Sequence, residues 1–252
     1  MIKLKSRREI DIIRRAGRIL AEALKLCENV AQPGMTTAEI DRQVAALIVE
    51  RGGIPAFKGY RGFPGNCCIS INEQLVHGIP GSRRLEEGDL VSVDIGVKLE
   101  SYYSDAAVSF GVGKVSKEAE KLMVVTRKSL EKAIAVLKNG VRLSEIGRAI
   151  QHHVESHGFS VVRQFVGHGV GRELWEEPQI PNFWDDGAST PADRTLKTGA
   201  VIAIEPMVNA GDYTVKTLAD KWTVVTTDGR LCAHYEHTLA ITDEGCEVLT
   251  KL

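Results

Sequence analysis

Two segments of the chain repeat one pattern, and this repeat constrains the fold more than any other feature of the sequence. The run from Leu85 to Asp94 reads Leu-Glu-Glu-Gly-Asp-Leu-Val-Ser-Val-Asp, and the run from Leu196 to Glu205 reads Leu-Lys-Thr-Gly-Ala-Val-Ile-Ala-Ile-Glu. Both place Gly three residues after Leu and close an apolar strand pattern with a carboxylate. We interpret the repeat as a duplicated α/β half, the alternative being a chance likeness of two strands. Because no Pro- or Ser-rich linker separates the halves, we expect one domain over residues 1–252.

Capping signals and periodicity predict the secondary structure around this repeat. An apolar stripe at helical spacing follows Ser6, and Thr36 with Glu39 forms a capping box before a second stripe. Residues 89–110 have the pattern of two strands joined by a short turn. Ser116 and Ser144 are predicted to cap two further helices, which end near residues 139 and 158, and the chain from residue 159 onwards is predicted to be rich in strands.

Charge and cysteine content restrict the partners and the compartment. A formal net charge of -1 gives no sequence-wide basic field, so nucleic acid is not an implied partner. Five cysteines without paired metal-site spacing suit reduced thiols in a cytosolic protein. Residues 1–15 alternate charge with isoleucine, which is typical of neither a signal peptide nor a membrane span. We therefore expect a cytoplasmic protein, away from membranes, that acts on a small or peptide substrate.

The two strands of residues 89–110 carry carboxylates that we expect to need a cation. If the turn is centred between Leu99 and Glu100, Asp94 lies directly opposite Asp105. Two ionised carboxylates in that position repel each other unless a proton or a cation lies between them. A single aspartate would more often point to solvent at a strand end. However, Asp94 and Glu205 both follow runs apolar enough to be buried strands, and buried carboxylates need partners.

Two later motifs supply further ligand types. Gly167-His-Gly-Val-Gly171 presents His168 between glycines that permit close backbone approach, although a histidine in such a turn is usually structural. Glu236, in Tyr-Glu-His-Thr, lies at the start of the last strand pattern. Four carboxylates and one imidazole suit Mn, Fe, Co or Zn held as a bridged pair, and they argue against a thiolate zinc site.

These residues belong to motifs by which the chain resembles the methionine aminopeptidases of the short bacterial type. That family has an α/β (α+β) pita-bread fold, a pseudo-twofold antiparallel sheet with helices on its outer face, which creatinases, prolidases and aminopeptidases P share. The resemblance covers nearly the whole chain, and its length leaves no room for the helical insertion of the longer eukaryotic and archaeal type. The motifs are Ser70-Ile-Asn-Glu, His77-Gly-Ile-Pro80, Asp94, Asp105, Gly167-His-Gly-Val-Gly171, Glu176-Glu-Pro178, Ile204-Glu-Pro-Met207 and Tyr235-Glu-His-Thr238.

The resemblance implies a dinuclear metallo-exopeptidase that removes the N-terminal methionine from nascent proteins and peptides with a small second residue. A metal-bridged hydroxide would attack the peptide, and Glu205 would carry its proton. The family histidine that matches His77 holds the reacting amide, whereas an ordinary turn histidine is the alternative. The substrates would be the N-termini of nascent chains, which the enzyme would encounter at the ribosome. We expect the protein to be a monomer. The implied ligands of two divalent ions, Co, Mn, Fe or Zn, are Asp94, Asp105, His168, Glu205 and Glu236.

An apolar set of residues matches the positions that line the methionine pocket of the family. A soft thioether packs well against aromatic rings, which is why such a pocket is rich in them. Taken alone, these residues would be interpreted as ordinary core. Phe57 and Leu174 depart mildly from the usual residues at two further pocket positions. The matching residues are Tyr60, Phe63, Cys68 and Trp222.

One position departs from the family motif. The family has a histidine just before Glu-Glu-Pro, where this chain has Trp175, and that position contacts the substrate. Loss of one donor to developing charge costs about 10² to 10³ in rate. Indole keeps one N–H donor, so Trp175 would replace part of the contact while its bulk narrows the site for the second substrate residue. The alternatives are therefore a paralogue with reduced or shifted aminopeptidase activity and a catalytically silent peptide-binding protein.

Overall fold

The computed structural model describes residues 2–185 and 192–251, and four α-helices form within them. The helices pair in chain order, two in each half of the sequence. They are α1 (Arg7–Val30), α2 (Thr37–Glu50), α3 (Lys117–Val136) and α4 (Leu143–Ser156). The strands are β1 (Ile54–Pro55), β2 (Cys68–Ile71), β3 (Gln74–Val76), β4 (Leu90–Leu99), β5 (Tyr102–Gly111), β6 (Ser160–Val161), β7 (Gly167–Gly169), β8 (Glu176–Ile180), β9 (Val201–Ile204), β10 (Met207–Asn209), β11 (Val215–Thr217), β12 (Val224–Thr226), β13 (Cys232–His234), β14 (His237–Ile241) and β15 (Cys246–Val248).

Capping explains where the first three helices begin. Ser6 and Thr36 each accept a hydrogen bond from the backbone N–H three residues later, and the carboxylate of the glutamate at that position accepts one from the cap N–H. These reciprocal bonds satisfy donors that the first helical turn leaves unpaired. Ser116 caps α3 by accepting from the Ala119 N–H at 3.1 Å. The predicted starts of α1, α2 and α3 are confirmed.

The predicted cap of α4 is wrong by two residues. The helix starts at Leu143, and the Glu145 carboxylate accepts from the Arg142 N–H at 2.9 Å. Ser144 lies inside the first turn, where its hydroxyl donates to Asp193 at 2.9 Å. A partner distant in the sequence therefore uses the side chain that looked like a cap. The predicted end is confirmed, because Gly158 follows the helix with φ of +81°.

Antiparallel pairing organises the described strands into four sheets. The larger two have the orders β1-β4-β2, with β5 also paired to β4, and β15-β14-β9-β7-β8. The smaller two have the orders β13-β10-β6 and β11-β12-β3. β4 and β9, the strands of the repeated segments, are thus interior strands of the two larger sheets. Residues 159–185 and 192–251 contain strands and no α-helix, as the sequence predicts.

The backbone hydrogen bonds that lead into β4 recur before β9. Leu85 donates its N–H to the Met35 carbonyl at 2.8 Å, and Leu196 donates its N–H to the Val141 carbonyl at the same distance. In each half the accepting residue lies just before the second helix of the pair. The two halves therefore use one local geometry, which gives the molecule its pseudo-twofold character.

Each pair of helices covers one face of a large sheet and leaves the other face to the interior of the molecule. Val91, Val93 and Ile95 of β4 pack with α1 and α2 in one apolar cluster. Because side chains alternate along a strand, Asp94 and Gly96 project from the opposite face. Residues of α3 and α4 form the corresponding cluster with β9 and β14. The acidic residues thus lie on the faces away from the helices. Within residues 2–185 and 192–251, every helix is too short or too polar to cross a membrane.

The register of β4 and β5 corrects one prediction. Asp94 pairs with Ala107, and Asp105 pairs with Gly96, because the hairpin turns at residues 100–101. Glu100 adopts φ of +55° there, which closes a two-residue loop one position later than predicted. The pairing therefore shifts by two residues, and an even shift leaves every side chain on its original face. Asp94 and Asp105 remain neighbours on one face, as a diagonal pair.

Candidate metal centre

Four carboxylates meet where the two large sheets join. Asp94 lies in the middle of β4 and Asp105 in β5, while Glu205 directly follows β9 and Glu236 directly precedes β14. Each half thus contributes two, as the repeated segments indicate. Asp105 and Glu236 are buried. The described structure therefore brings together the carboxylates that the sequence predicts.

Hydrogen bonds between β5 and β14 fix the junction. The Asp105 N–H donates to the Thr238 hydroxyl at 2.9 Å, and that hydroxyl donates to the Asp105 carbonyl at 2.7 Å. Two residues further along β5, the Ala107 carbonyl accepts a hydrogen bond from the Glu236 N–H at 2.9 Å. The backbones that carry two of the carboxylates are therefore held together across the halves.

His168 faces the carboxylates through its Nε2 atom. This atom lies 3.6 Å from Glu205 Oε1 and 3.8 Å from Asp105 Oδ2. The other ring nitrogen, Nδ1, lies 2.9 Å from the Gly169 carbonyl, which only accepts hydrogen bonds. The ring proton therefore lies on Nδ1, and burial lowers the pKa of His168 to about 4, so the ring is neutral at pH 7. The Nε2 lone pair is free to bind a cation.

In the absence of a cation, burial and like-charge repulsion raise the pKa values of the carboxyl groups and disfavour their ionised form. Burial raises the pKa of Asp94 to about 7, and a hydrogen bond with the Asp105 carboxyl group partly lowers it. Burial and then the Asp94 charge raise the pKa of both Asp105 and Glu205. The pKa of Glu236 rises through burial and the charge of Asp105. A divalent cation would reverse these shifts, because it stabilises the ionised form.

Several buried polar atoms of the centre have no hydrogen-bond partner among the described residues. Such atoms are rare in folded proteins and indicate a missing ligand or ion. Here they are Asp94 Oδ1, Asp105 Oδ1, Glu236 Oε1 and His234 Nε2. Two groups of three ligand atoms each lie within 4.8 Å of one another, Asp105 with His168 and Glu236, and Glu205 with His234 and Glu236. Oxygen and imidazole donors at this spacing fit divalent transition metals.

The predicted site residues all line one cavity of about 310 Å³. The metal-ligand candidates form the polar part of the lining, and His77 lines the same cavity. The His77 ring meets Phe165 and Trp222 edge-on, with centroids 5.8 and 6.4 Å away. Burial lowers the pKa of His77, which keeps its ring neutral at pH 7. The structure thus places His77 beside the carboxylates but outside both ligand groups.

A second part of the cavity lining is apolar. Phe57, Phe63, Cys68 and Leu174 form one buried cluster, against which Tyr60 and Trp222 pack. Phe63 and Trp222 meet edge-on, with ring centroids 5.1 Å apart. The predicted pocket residues therefore form one surface, which Phe57 and Leu174 extend.

Gly96 makes room for this apolar part, the aromatic wall of the cavity. A Cβ atom at Gly96 would lie 2.6 Å from the Phe57 ring, closer than real contacts allow. Because Gly96 pairs with Asp105, the missing side chain brings the aromatic ring next to the carboxylates. The apolar and the acidic parts of the cavity are thus adjacent.

Trp175 lies at the mouth of the cavity and remains 38% exposed. Its ring centroid is 6.3 Å from that of His168. The next residue, Glu176, fixes the segment, because its buried carboxylate accepts from the Arg172 N–H at 2.9 Å and from Lys5 Nζ at 2.8 Å. The indole is therefore held next to the centre while one side of it faces solvent.

The site residues predicted from the sequence do not include His234, Arg61, Phe165 and Val166. All but His234 line the cavity, and His234 belongs to a ligand group. His234 is two residues before Glu236, a spacing that places both side chains on one side of an extended chain. That spacing was the available signal for His234. No comparable signal marks the other three.

The family comparison decides the class of the chain. A model of metallopeptidase family M24 matches residues 11–243. The chain belongs to this family. Metallopeptidases of the M24 family are hydrolases, so the acidic cavity lies in an enzyme of a metal-using class. This finding agrees with the donor set that the structure assembles.

Curated relatives within the M24 family are methionine aminopeptidases. Methionine aminopeptidase 1 of Bacillus subtilis (strain 168) is 52% identical over 252 residues, which is 100% of both chains. The methionine aminopeptidase of Escherichia coli (strain K12) is 44% identical over 251 residues, 99% of this chain and 94% of the relative. The predicted resemblance to methionine aminopeptidases is therefore confirmed.

Solved structures place the fold in the same M24 group. The crystal structure of methionine aminopeptidase from Thermotoga maritima matches with a TM-score of 0.95, 45% identity and full coverage of both chains. A prolidase from Pyrococcus furiosus matches with a TM-score of 0.81 and 25% identity, over 99% of this chain but 65% of the prolidase. The predicted pita-bread fold is confirmed, and the chain resembles the methionine aminopeptidases in extent as well as in sequence.

Proposed function

We propose that this M24 chain is a methionine aminopeptidase, which removes the N-terminal methionine from peptides with a small second residue. The observation that carries the proposal is one cavity in which a cluster of four carboxylates borders an aromatic wall. The carboxylate cluster suits a hydrolytic metal centre, and the aromatic wall suits the unbranched thioether side chain of methionine. Methionine aminopeptidases that match the full chain at 45–52% identity support the same substrate.

We infer that two divalent ions, Co, Mn, Fe or Zn, bind to the acidic part of the cavity. Asp94, Asp105 and Glu236 would help to hold the ions, since each has an unpartnered buried oxygen among the described residues. When bound, such a pair lowers the pKa of a shared water and polarises the scissile carbonyl. The complete set of ligands proposed from the sequence is Asp94, Asp105, His168, Glu205 and Glu236.

The side chains around the ions would position the peptide and move its proton. The aromatic wall and Cys68 would bind the methionine side chain, and burial, which raises the pKa of the Cys68 thiol, keeps that thiol neutral. His77, which lines the same cavity, would hold the reacting amide. Glu205 is our proton carrier, a role that the resemblance implies and that its carboxylate, which lines the cavity directly after β9, is placed to perform.

Trp175 supports a second candidate, an aminopeptidase with reduced or shifted activity. The indole lies at the mouth of the cavity, where the second residue of a bound substrate would extend out of the cavity. Its bulk favours small residues there, and its single N–H donor replaces only part of an imidazole contact. A silent peptide-binding protein is less well supported, because crowded, unpartnered carboxylates cost folding free energy and serve no purpose in binding a peptide alone.

Further proposals concern the setting of the reaction. We propose that residues 1–252 act as one catalytic domain made of two related halves, as a monomer in the cytoplasm. The substrates would be the N-termini of nascent polypeptides, met at the ribosome. The net charge of -1 supports a peptide substrate over nucleic acid.

A peptide panel tests the substrate assignment. Purified protein loaded with Mn or Co is expected to release the first residue of Met-Ala-Ser and Met-Gly-Ser, and to act at least about tenfold more slowly on Leu-Ala-Ser, whose branched side chain fits the aromatic wall less well. Ala-Pro, a substrate of the prolidase type, should remain intact. Amino-acid analysis of the released residue provides the measurement.

A matched control removes the contribution of contaminating host peptidases. The Glu205→Gln variant keeps the size of the side chain and is purified in the same way, and it should release at least about 10²-fold less methionine. Cleavage of Ala-Pro at a higher rate than Met-Ala-Ser would contradict the proposal and favour a dipeptidase of the prolidase type.

A further inference from the structure

His234 is a buried imidazole in the metal centre that the predicted ligand set leaves without a role. It ends β13, and only 2% of its surface is exposed. Its backbone is fixed on both sides by Ser109, whose hydroxyl accepts from the His234 N–H at 2.9 Å and donates to its carbonyl at 2.8 Å. The ring is therefore held in the interior and is not a surface group that happens to turn inward.

The Nε2 atom of His234 points at two of the carboxylates without a hydrogen bond to either. It lies 3.7 Å from Glu205 Oε2 and 3.9 Å from Glu236 Oε2. Both separations exceed those of hydrogen bonds. Two ligand atoms that each lie about 2.0 to 2.2 Å from one ion are separated by roughly 3 to 4 Å, which is the spacing observed. The distances suit a shared cation better than a direct contact.

His168, a predicted ligand, has the same geometry. Its Nε2 lies 3.6 and 3.8 Å from its two carboxylate neighbours. The Nε2 of His234 is in addition fully buried, and it has no hydrogen-bond partner in the described part of the chain. A polar atom in that state lowers stability unless a ligand satisfies it. A metal ion would supply the missing partner.

We propose that His234 is a sixth protein ligand of the metal centre, binding one ion through Nε2 together with Glu205 and Glu236. This inference rests on the metal-dependent function proposed above. Each of the two three-residue ligand groups then contains one imidazole, His168 in the first and His234 in the second, and Glu236 belongs to both. Two nitrogen donors shift the centre toward the borderline metals Zn, Co and Fe and away from the oxygen-preferring Mn.

The unmodified protein provides the first test. In Co-loaded protein, each coordinated neutral imidazole contributes one hyperfine-shifted, solvent-exchangeable ring N–H signal to the proton NMR spectrum. We expect two such signals at two Co per chain, one from His168 and one from His234. A single signal at full occupancy would overturn the proposal while leaving the proposed peptidase intact.

A variant pair provides the second test, with metal affinity as its readout. His234→Gln keeps a polar side chain of similar reach but removes the imidazole, and it should weaken the binding of one Co equivalent by at least about tenfold in calorimetric titration and remove one shifted signal. His237→Gln is the matched control, because His237 is a partly buried histidine next to Glu236 whose Nδ1 lies 2.9 Å from the Thr250 hydroxyl.

The outcomes separate the inference from the function on which it rests. Unchanged Co affinity and an unchanged spectrum in His234→Gln would overturn the sixth ligand alone. Wild-type protein that binds no Co, Mn, Fe or Zn would overturn both the ligand and the proposed function. Loss of one signal and one tight equivalent in His234→Gln, with both retained in His237→Gln, is the result that the geometry predicts.

Discussion

Replacing Asp105 with Ala is expected to remove metal binding and methionine release together, with activity falling by at least about 10³-fold. Asp105 has an unpartnered buried oxygen among the described residues, and its other oxygen lies 3.8 Å from His168 Nε2. The variant therefore removes a carboxylate that would hold a metal ion together with His168 and Glu236. Metal content by mass spectrometry after dialysis and release of methionine from Met-Ala-Ser provide the two measurements. His168→Ala should lose both properties in the same way.

A buried aspartate outside the centre provides the control. Asp89 is as enclosed as Asp105, but its oxygens accept from the Asn72 side chain and the Glu86 N–H, each at 2.8 Å. Asp89→Asn should keep both bound ions, whatever it costs in thermal stability. Full turnover in Asp105→Ala or His168→Ala would contradict the assignment of the centre. Equal metal loss in Asp89→Asn would mean that the effect reports folding and not ligation.

Replacing Trp175 with His is expected to raise the turnover of Met-Ala-Ser by about 10- to 10²-fold, within the range that one well-placed donor contributes. The indole lines the mouth of the cavity beside His168 and is held there by the Glu176 segment, so a histidine at this position would face the same space. The smaller ring should also widen the range of accepted second residues. Steady-state kinetics with Met-Ala-Ser and with Met-Val-Ser measure both effects.

Trp175→Phe separates the donor from the bulk of the ring. Phe keeps an aromatic ring but lacks the N–H, so a slower Phe variant would show that the indole already donates to the substrate. If Trp175→His is slower than the unmodified enzyme, the position is adapted to tryptophan, and its interpretation as a weakened site is wrong.

Local signals in the sequence predict much of this fold. The capping boxes at Ser6 and Thr36 mark helix starts because their hydrogen bonds join residues only three apart. The repeated pattern is also local, because the glycine turn, the strand and the final carboxylate lie within ten residues in each half. It therefore predicts Asp94 and Glu205 as equivalent residues. Ser144 shows the limit of such signals, because its partner Asp193 is distant in the sequence.

Other features of the site depend on contacts that the sequence does not display. The hairpin after Asp94 has no Asn-Gly signal, so the predicted register differs from the observed one by two residues. Because the shift is even, Asp105 still lies on the predicted face of the sheet. His234 lies in a short strand that looks unremarkable until β13 pairs with β10 and Ser109 fixes its backbone. The motif residues could be predicted through the resemblance. For His234 the sequence offers only its two-residue spacing from Glu236, and packing is what brings its ring to the carboxylates.

The most direct test of the metal-dependent function is methionine release by chelator-stripped protein, reloaded separately with Mn, Fe, Co or Zn. We predict that the stripped protein is inactive, that at least one metal restores prompt release of methionine from Met-Ala-Ser, and that a chelator stops it again. Release that persists in fully stripped protein, or its absence with every metal despite two bound ions, would contradict the account.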